Sequence, residues 1–152
     1  MRVLGVRTNK DGFEWALVVG DSPLDAVLEI AASASAPAGQ RGAELSWFDK
    51  ELEEVLRAHN PDAVALRPAE AAQSLSSSIL ARAEMDGILL SRCYHANVSC
   101  EKLYSATLRS IFKVKSRLAL DEALLESPAV SGALKTKRDA VSAAVAYIRR
   151  HE

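Results

Sequence analysis

Cysteine is scarce: 152 residues hold only Cys93 and Cys100. Two thiols give no disulfide framework, so a protein with reduced thiols is expected, with the cytoplasm as its compartment. Long apolar runs are missing too. None approaches the roughly 20 residues a membrane-spanning helix needs, so no transmembrane helix is expected. The amino terminus lacks the basic-then-apolar architecture of a secretory signal, and strand-like alternation starts at once. No internal repeat or low-complexity tract interrupts the chain. What is present is the balance of an ordinary globular protein, with 49% apolar and 26% charged residues. A chain of this length is expected to form one domain over residues 1–152 and to bury roughly two-thirds of its unfolded surface.

The net charge of −1 hides an asymmetry. Residues 1–100 carry nine Lys and Arg against fourteen Asp and Glu, a balance of −5. Residues 101–152 carry ten against six, a balance of +4. The basic half holds Lys102, Arg109, Lys113, Lys115 and Arg117, then Lys135, Lys137 and Arg138, then Arg149 and Arg150. Such a distribution suits an anionic partner on one face, and it equally suits solvated helix surface.

Periodicity orders the elements. Val3-Leu4-Gly5-Val6-Arg7 is an apolar strand, Asn9-Lys10-Asp11-Gly12 a turn, and Phe13 to Val19 an alternating return strand. The turn Asp21-Ser22-Pro23 leads to a third strand over Val27–Ala31, and Ser33 to Gly42 reads as a loop. From Ala43 the period becomes helical, with Leu45, Phe48, Leu52, Val55 and Leu56 on one face, until Asn60-Pro61 stops it. Asp62 to Arg67 is a short apolar strand ended by Pro68. A long helix is predicted from about Ala69 to Arg92, with Ile79, Ala83, Gly87 and Leu90 as a stripe of mostly small residues that lets it lie close to a sheet. A fifth strand is expected at His95–Cys100, a polar connection with an apolar patch from Tyr104 to Arg117, and helices over Leu118–Glu126 and Arg138–His151. The fold class is α/β: a mixed five-stranded sheet flanked by helices, its first and fourth strands parallel through a right-handed crossover.

That order, with its local sequence, resembles the ribonuclease H-like fold, and within it the RuvC type of Holliday-junction resolvase. Leu4-Gly5-Val6 is similar to the motif that precedes the first catalytic aspartate. Asn60-Pro61-Asp62-Ala63-Val64-Ala65-Leu66 is similar to the fourth strand, which ends in the catalytic glutamate. Ala81-Arg82-Ala83-Glu84-Met85-Asp86-Gly87 resembles the centre of the long helix, and Asp139-Ala140-Val141-Ser142-Ala143-Ala144 the final one. The resemblance implies two-metal phosphodiester hydrolysis, with carboxylates from two strand ends and the last helix holding two Mg²⁺ ions.

This chain departs from that pattern at the acids. The first-strand position is Arg7 and the fourth-strand position Arg67; Asp139 remains, and the residue one turn on is Ser142. Exchanging two carboxylates for guanidinium groups changes the formal charge by about four units, and even a well-screened pair at ~4 Å is worth ~1 kcal/mol. A divalent cation would be repelled there. No metal and no cofactor is therefore expected.

Two roles are open to Arg7 and Arg67. They form a pocket gripping a phosphate by bidentate hydrogen bonds, or an ion-pair network neutralised by Asp139 with Glu70 or Asp11. The resemblance further implies that the basic connection, through Lys113, Lys115 and Arg117, contacts a nucleic-acid backbone beside the cleft. The alternative is an endonuclease with a rearranged acidic site, using Mg²⁺ held by Asp11, Glu14, Glu70 or the remnant Asp139. Cys93, His95 and Cys100 match no usual zinc spacing. His59 sits at a helix C-terminus, and Trp15 and Trp47 are expected in the core. The expected function is a RuvC-like protein that has lost its metal site and binds DNA, RNA or a protein partner. A homodimer is expected through the long-helix face Ala81–Gly87.

Overall fold

The computed structural model describes residues 1–71 and 74–152. Five strands form one sheet: β1 (Arg2–Thr8), β2 (Gly12–Val19), β3 (Val27–Ser35), β4 (Ala63–Arg67) and β5 (Ser99–Lys102). Their spatial order is β3-β2-β1-β4-β5, with β1–β2 and β2–β3 antiparallel and β1–β4 and β4–β5 parallel. The mixed five-stranded sheet is the one expected, with β1 at its centre. Parallel neighbours need a crossover helix. Helix α1 (Arg41–His59) joins β3 to β4, and α2 (Ser77–His95) joins β4 to β5. The C-terminal part folds into α3 (Ser105–Ile111), α4 (Arg117–Leu125), α5 (Pro128–Ser131), a 3₁₀ turn at Lys135–Lys137 and α6 (Arg138–His151).

Alternation along the strands divides the core in two. Val3, Ala16, Val18, Ala63 and Ala65 face α6 and the small helices before it. Leu4, Val6, Phe13, Val64 and Leu66 face α1 and α2, against Phe48, Leu52, Met85 and Leu89. Trp15 and Trp47 belong to this second layer, and His59 packs its ring 5.0 Å from that of Trp15. Every residue of α6 from Ala140 to Ile148 is buried. It reaches the sheet so closely because β1 has Gly5 beneath it. A Cβ at Gly5 would lie 1.8 Å from the Ala140 carbonyl oxygen.

Several boundaries differ from the sequence-based expectation. β3 runs on to Ser35, because Ser33, Ala34 and Ser35 continue the ladder to β2 opposite Glu14, Phe13 and Gly12. The long helix starts at Ser77, not near Ala69; the Ser76 hydroxyl accepts the Ile79 N–H at 3.2 Å and caps it. The predicted span also covers residues 72–73, which lie outside the described residues. Its small-residue stripe does not face the sheet: Ala83 and Gly87 are exposed, and Met85, Asp86, Leu89 and Cys93 are the buried positions. Large side chains exclude more apolar surface from water than small ones do, and they set the buried face. α2 also persists to His95, which moves the fifth strand to Ser99–Lys102. The connection after Tyr104 is partly helical, because Leu108, Ile111 and Phe112 form the apolar face of α3 against the α6 layer.

Arg92 on α2 clamps Asp49 on α1 through Nε and Nη2, at 2.9 and 2.6 Å. This bond holds the Asp49 carboxyl below its ordinary 3.8. A lowered carboxyl stabilises the fold above its unfolded value and loses that contribution as pH falls through the folded one. Asp49→Asn should therefore melt below wild type by a constant margin near neutrality, worth at most about 1 kcal/mol because the pair is open to solvent. In thermal melts the margin should close below about pH 4.

Candidate functional site

Strand parity decides which side chains meet. Gly5 and Arg7 on β1, and Ala65 and Arg67 on β4, point to the α6 side, and Arg7 and Arg67 are register partners at the carboxyl ends of parallel strands. Such strand ends are where ligands bind open α/β sheets. α6 begins just above them and delivers Asp139, whose Oδ2 forms an ion pair with Arg7 Nε at 2.9 Å. Arg67 is held more tightly. Its Nη1 donates to the Leu103 carbonyl at 2.6 Å, Nη2 donates to Ser105 Oγ at 3.2 Å, and Glu70 Oε2 lies 3.7 Å away. Glu70 is in turn occupied by Ser105, accepting its N–H at 3.1 and 3.2 Å and its hydroxyl at 2.8 Å. Burial pushes the Arg67 guanidinium below its ordinary range, while Asp139 and Glu70 pull the other way.

The even positions lead to a second network that the sequence did not single out. Thr8, fully buried, donates from Oγ1 to Asp86 Oδ1 at 2.5 Å, and Asp86 Oδ2 accepts the Ala69 N–H at 2.7 Å. One carboxylate on α2 thus ties together the ends of β1 and β4. Its signal was present: Asp86 sits among Met85, Leu89 and Cys93 at helical spacing, where an unpaired charge would be costly. Arg82, one turn earlier, donates from Nη2 to the Arg67 carbonyl at 3.4 Å, and its buried Nε has no partner among the described residues. Burial and the neighbouring Arg7 charge both lower its pKa from the ordinary value.

Beyond the strand ends opens a cavity of about 540 Å³ between β4, α3, α4 and α6. Its cations are Arg67, Arg109, Arg117, Lys135 and Arg138; its acids are Asp121 and Asp139. Leu108, Leu120, Leu124 and Val130 make an apolar floor. Arg117 lines this cavity as well as belonging to the predicted basic connection. Lys113 and Lys115 do not; they stand exposed in the segment between α3 and α4. Arg109, Lys135 and Arg138 are the members that periodicity did not pick out, because folding of α3, α4 and the 3₁₀ turn is what gathers them.

The donor set does not fit a pair of divalent ions. The strand ends present guanidinium groups, Asp139 is engaged by Arg7, and both Glu70 oxygens are engaged by Ser105. Asp11 lines a separate hollow with Lys10, Arg41 and Glu84, and Glu14 stands beside Arg7 as its register partner on β2, with β1 between it and Arg67. Among the described residues no three His, Cys, Asp or Glu side chains are grouped so as to hold a metal ion. Nor is any described helix long and apolar enough to cross a membrane.

No protein-family model and no curated protein matches the chain. Solved structures do. RuvC of Thermus thermophilus, in complex with a Holliday-junction substrate, is 16% identical with a TM-score of 0.73, covering 98% of this chain and 93% of that one. The yeast mitochondrial Holliday-junction resolvase Ydc2 is 12% identical, with a TM-score of 0.67 over 99% and 80% of the two chains. The fowlpox virus resolvase, in complex with junction DNA, is 14% identical, with a TM-score of 0.58 over 99% and 98%. The mixed five-stranded sheet flanked by helices is thus the ribonuclease H-like fold that RuvC and other Holliday-junction resolvases carry.

Proposed function

We propose that this chain binds nucleic acid through its sugar-phosphate backbone and does not hydrolyse it. The observation that carries this is the charge at the carboxyl ends of β1 and β4. There Arg7, Arg67 and Arg82, with the cavity's other four cations, make seven positive groups against the five carboxylates Glu14, Asp86, Glu70, Asp139 and Asp121. Relatives in fold are solved on junction DNA, and the resemblance of Arg7, Arg67 and Ser142 to positions of catalytic acids removes the carboxylates that a metal pair takes. Guanidinium groups at those positions favour phosphate instead. The Arg7–Asp139 pair supports this role: its members are 32% and 57% exposed, so it is worth little by itself and yields to a competing anion. Lys113, Lys115 and Arg117 extend the basic surface from the cavity rim.

Binding of this kind is salt-sensitive and largely indifferent to sequence. In mobility-shift titrations, wild type should retard four-way and linear DNA at low salt. Arg7→Ala with Arg67→Ala should weaken the shift by about tenfold or more and flatten its salt dependence by about two phosphate contacts. Because Arg67 also tethers Leu103, a second variant keeps the test clean: Lys113→Glu, Lys115→Glu and Arg117→Glu are exposed changes that leave the core alone. Absence of any shift at low salt would overturn the binding role. Cleavage of a four-way junction in Mg²⁺ or Mn²⁺, abolished by Glu70→Ala or Asp139→Ala, would establish the nuclease alternative.

The exposed face of α2 supports self-association. Leu80, Ala83, Gly87 and Tyr94 recur at helical spacing in solvent, and small residues there let a second helix approach closely. We take the protein to be a homodimer through this face, acting in the cytoplasm with Cys93 and Cys100 reduced. A protein partner in place of nucleic acid corresponds to the outcome in which DNA and RNA both fail to bind.

A further inference from the structure

We infer that the cavity between β4, α3, α4 and α6 takes a single nucleoside phosphate, either a free nucleotide or one unpaired nucleotide of a strand. The inference rests on the backbone-binding function and assigns a ligand to its concave part. Shape comes first. A hollow of about 540 Å³ lies within the range of small-molecule sites, about 300–1,000 Å³. One nucleotide fits it and a base-paired segment does not. Its wall then distributes the chemistry. Arg67 lines the cavity with Ser105 and Ser142; one N–H of each Nη is held by Leu103 and Ser105, and its remaining N–H groups add to the positive charge of the wall. Arg109, Arg117, Lys135 and Arg138 join Arg67 against two carboxylates, Asp121 and Asp139, so the wall is net positive. Leu108, Leu120, Leu124 and Val130 offer no hydrogen bonds at all. Inorganic phosphate would leave that floor uncovered, and an aliphatic chain would leave the guanidinium groups unpaired. A base over the leucines with its phosphate among Arg109, Lys135 and Arg138 satisfies both halves, and Arg117 adds a planar cation that stacks on a base face.

The probe is dAMP, titrated into the full-length protein by isothermal calorimetry, with inorganic phosphate and deoxyadenosine as comparators. Saturable binding of dAMP at one site per chain, at least about tenfold tighter than either comparator, is expected. Leu125→Trp places a large ring at the cavity rim, where Leu125 is 44% exposed, so the core is untouched. This variant should lose dAMP while still retarding blunt duplex DNA, whereas Lys113→Glu with Lys115→Glu should weaken duplex binding and keep dAMP. The source is separated by a duplex with a one-nucleotide overhang. If that end binds more tightly than a blunt one and dAMP abolishes the difference, the physiological occupant is an unpaired nucleotide; if the two ends bind alike while dAMP binds, it is a free nucleotide. Equal affinity for phosphate and dAMP, no dAMP binding at millimolar concentration, or dAMP binding unaffected by Leu125→Trp overturns the inference. Duplex binding without dAMP binding leaves the backbone function standing, and the converse leaves only the cavity.

Discussion

Gly5→Val should cost the protein about 3 kcal/mol or more, among the larger losses a single substitution produces. The reason is backbone against backbone. Gly5 lies in the central strand beneath Ala140 and Ala144 of α6; a Cβ there would be 1.8 Å from the Ala140 oxygen, 2.8 Å from its carbon and 3.2 Å from the Ala144 Cβ. None of these is the end of a flexible side chain. β1 is hydrogen-bonded on both sides, to β2 and β4, and α6 is buried from Ala140 to Ile148, so neither partner gives way cheaply. For a domain of this size the loss corresponds to a fall in melting temperature of roughly 10 °C. Gly42→Ala supplies the control. Nothing lies within 4 Å of a Cβ at that position in α1 and no glycine has a positive φ, so it should be neutral or stabilising by up to about 1 kcal/mol. Equal melting of Gly5→Val and wild type would mean that α6 does not ride on β1 as described. The consequence reaches the site, because Asp139 leads α6 and holds Arg7.

Asp86→Ala should cost about 2–4 kcal/mol, measured as a lower urea midpoint at unchanged slope. Its carboxylate accepts from the Thr8 hydroxyl and the Ala69 N–H. Removal leaves the Ala69 donor without this acceptor and Thr8, which is 0% exposed, with only the distant Arg82 carbonyl at 3.5 Å. It also removes a negative charge beside the half-buried Arg82. Asp86→Asn, which keeps the shape and one acceptor oxygen, should fall between the two. If alanine and wild type unfold at the same urea concentration, the carboxylate does not tie the strand ends. The two expected losses belong to opposite faces of β1 with no shared partner, so they should add in a double variant.

How much of this was legible beforehand follows from the range of each interaction. The strands, the flanking helices and their order along the chain rest on periodicity of two and of 3.6, which each segment carries within itself, and the parallel pairing of β1 with β4 on the crossover rule. The same local rule places Arg7 and Arg67 at the ends of β1 and β4, two residues beyond Gly5 and Ala65 on one face. The ion pair of Arg7 with Asp139 was one of the arrangements open from the residues, and Glu70 does turn back toward Arg67. The buried face of α2 was misjudged because Ala83 and Gly87 suggest close packing. Which face a helix buries is decided by the layer it meets, and here Met85 and Leu89 fit between Leu4, Val6, Val64 and Leu66. β5 shifted for a related reason. The Cys100 position is set by pairing with Val64, a contact the segment does not contain.

By itself, then, the sequence determined the α/β layout and the arginines at the ends of β1 and β4, since both are local facts of spacing and residue type. Tertiary structure alone decided that Asp86 bridges those ends and that Arg109, Arg117, Lys135 and Arg138 converge with Arg67 around one cavity. Those side chains lie as much as 71 residues apart in the chain. They come together only because α6 packs onto Gly5 and draws the preceding short helices over the sheet, and a long-range packing contact leaves no periodic trace in either of the segments it joins.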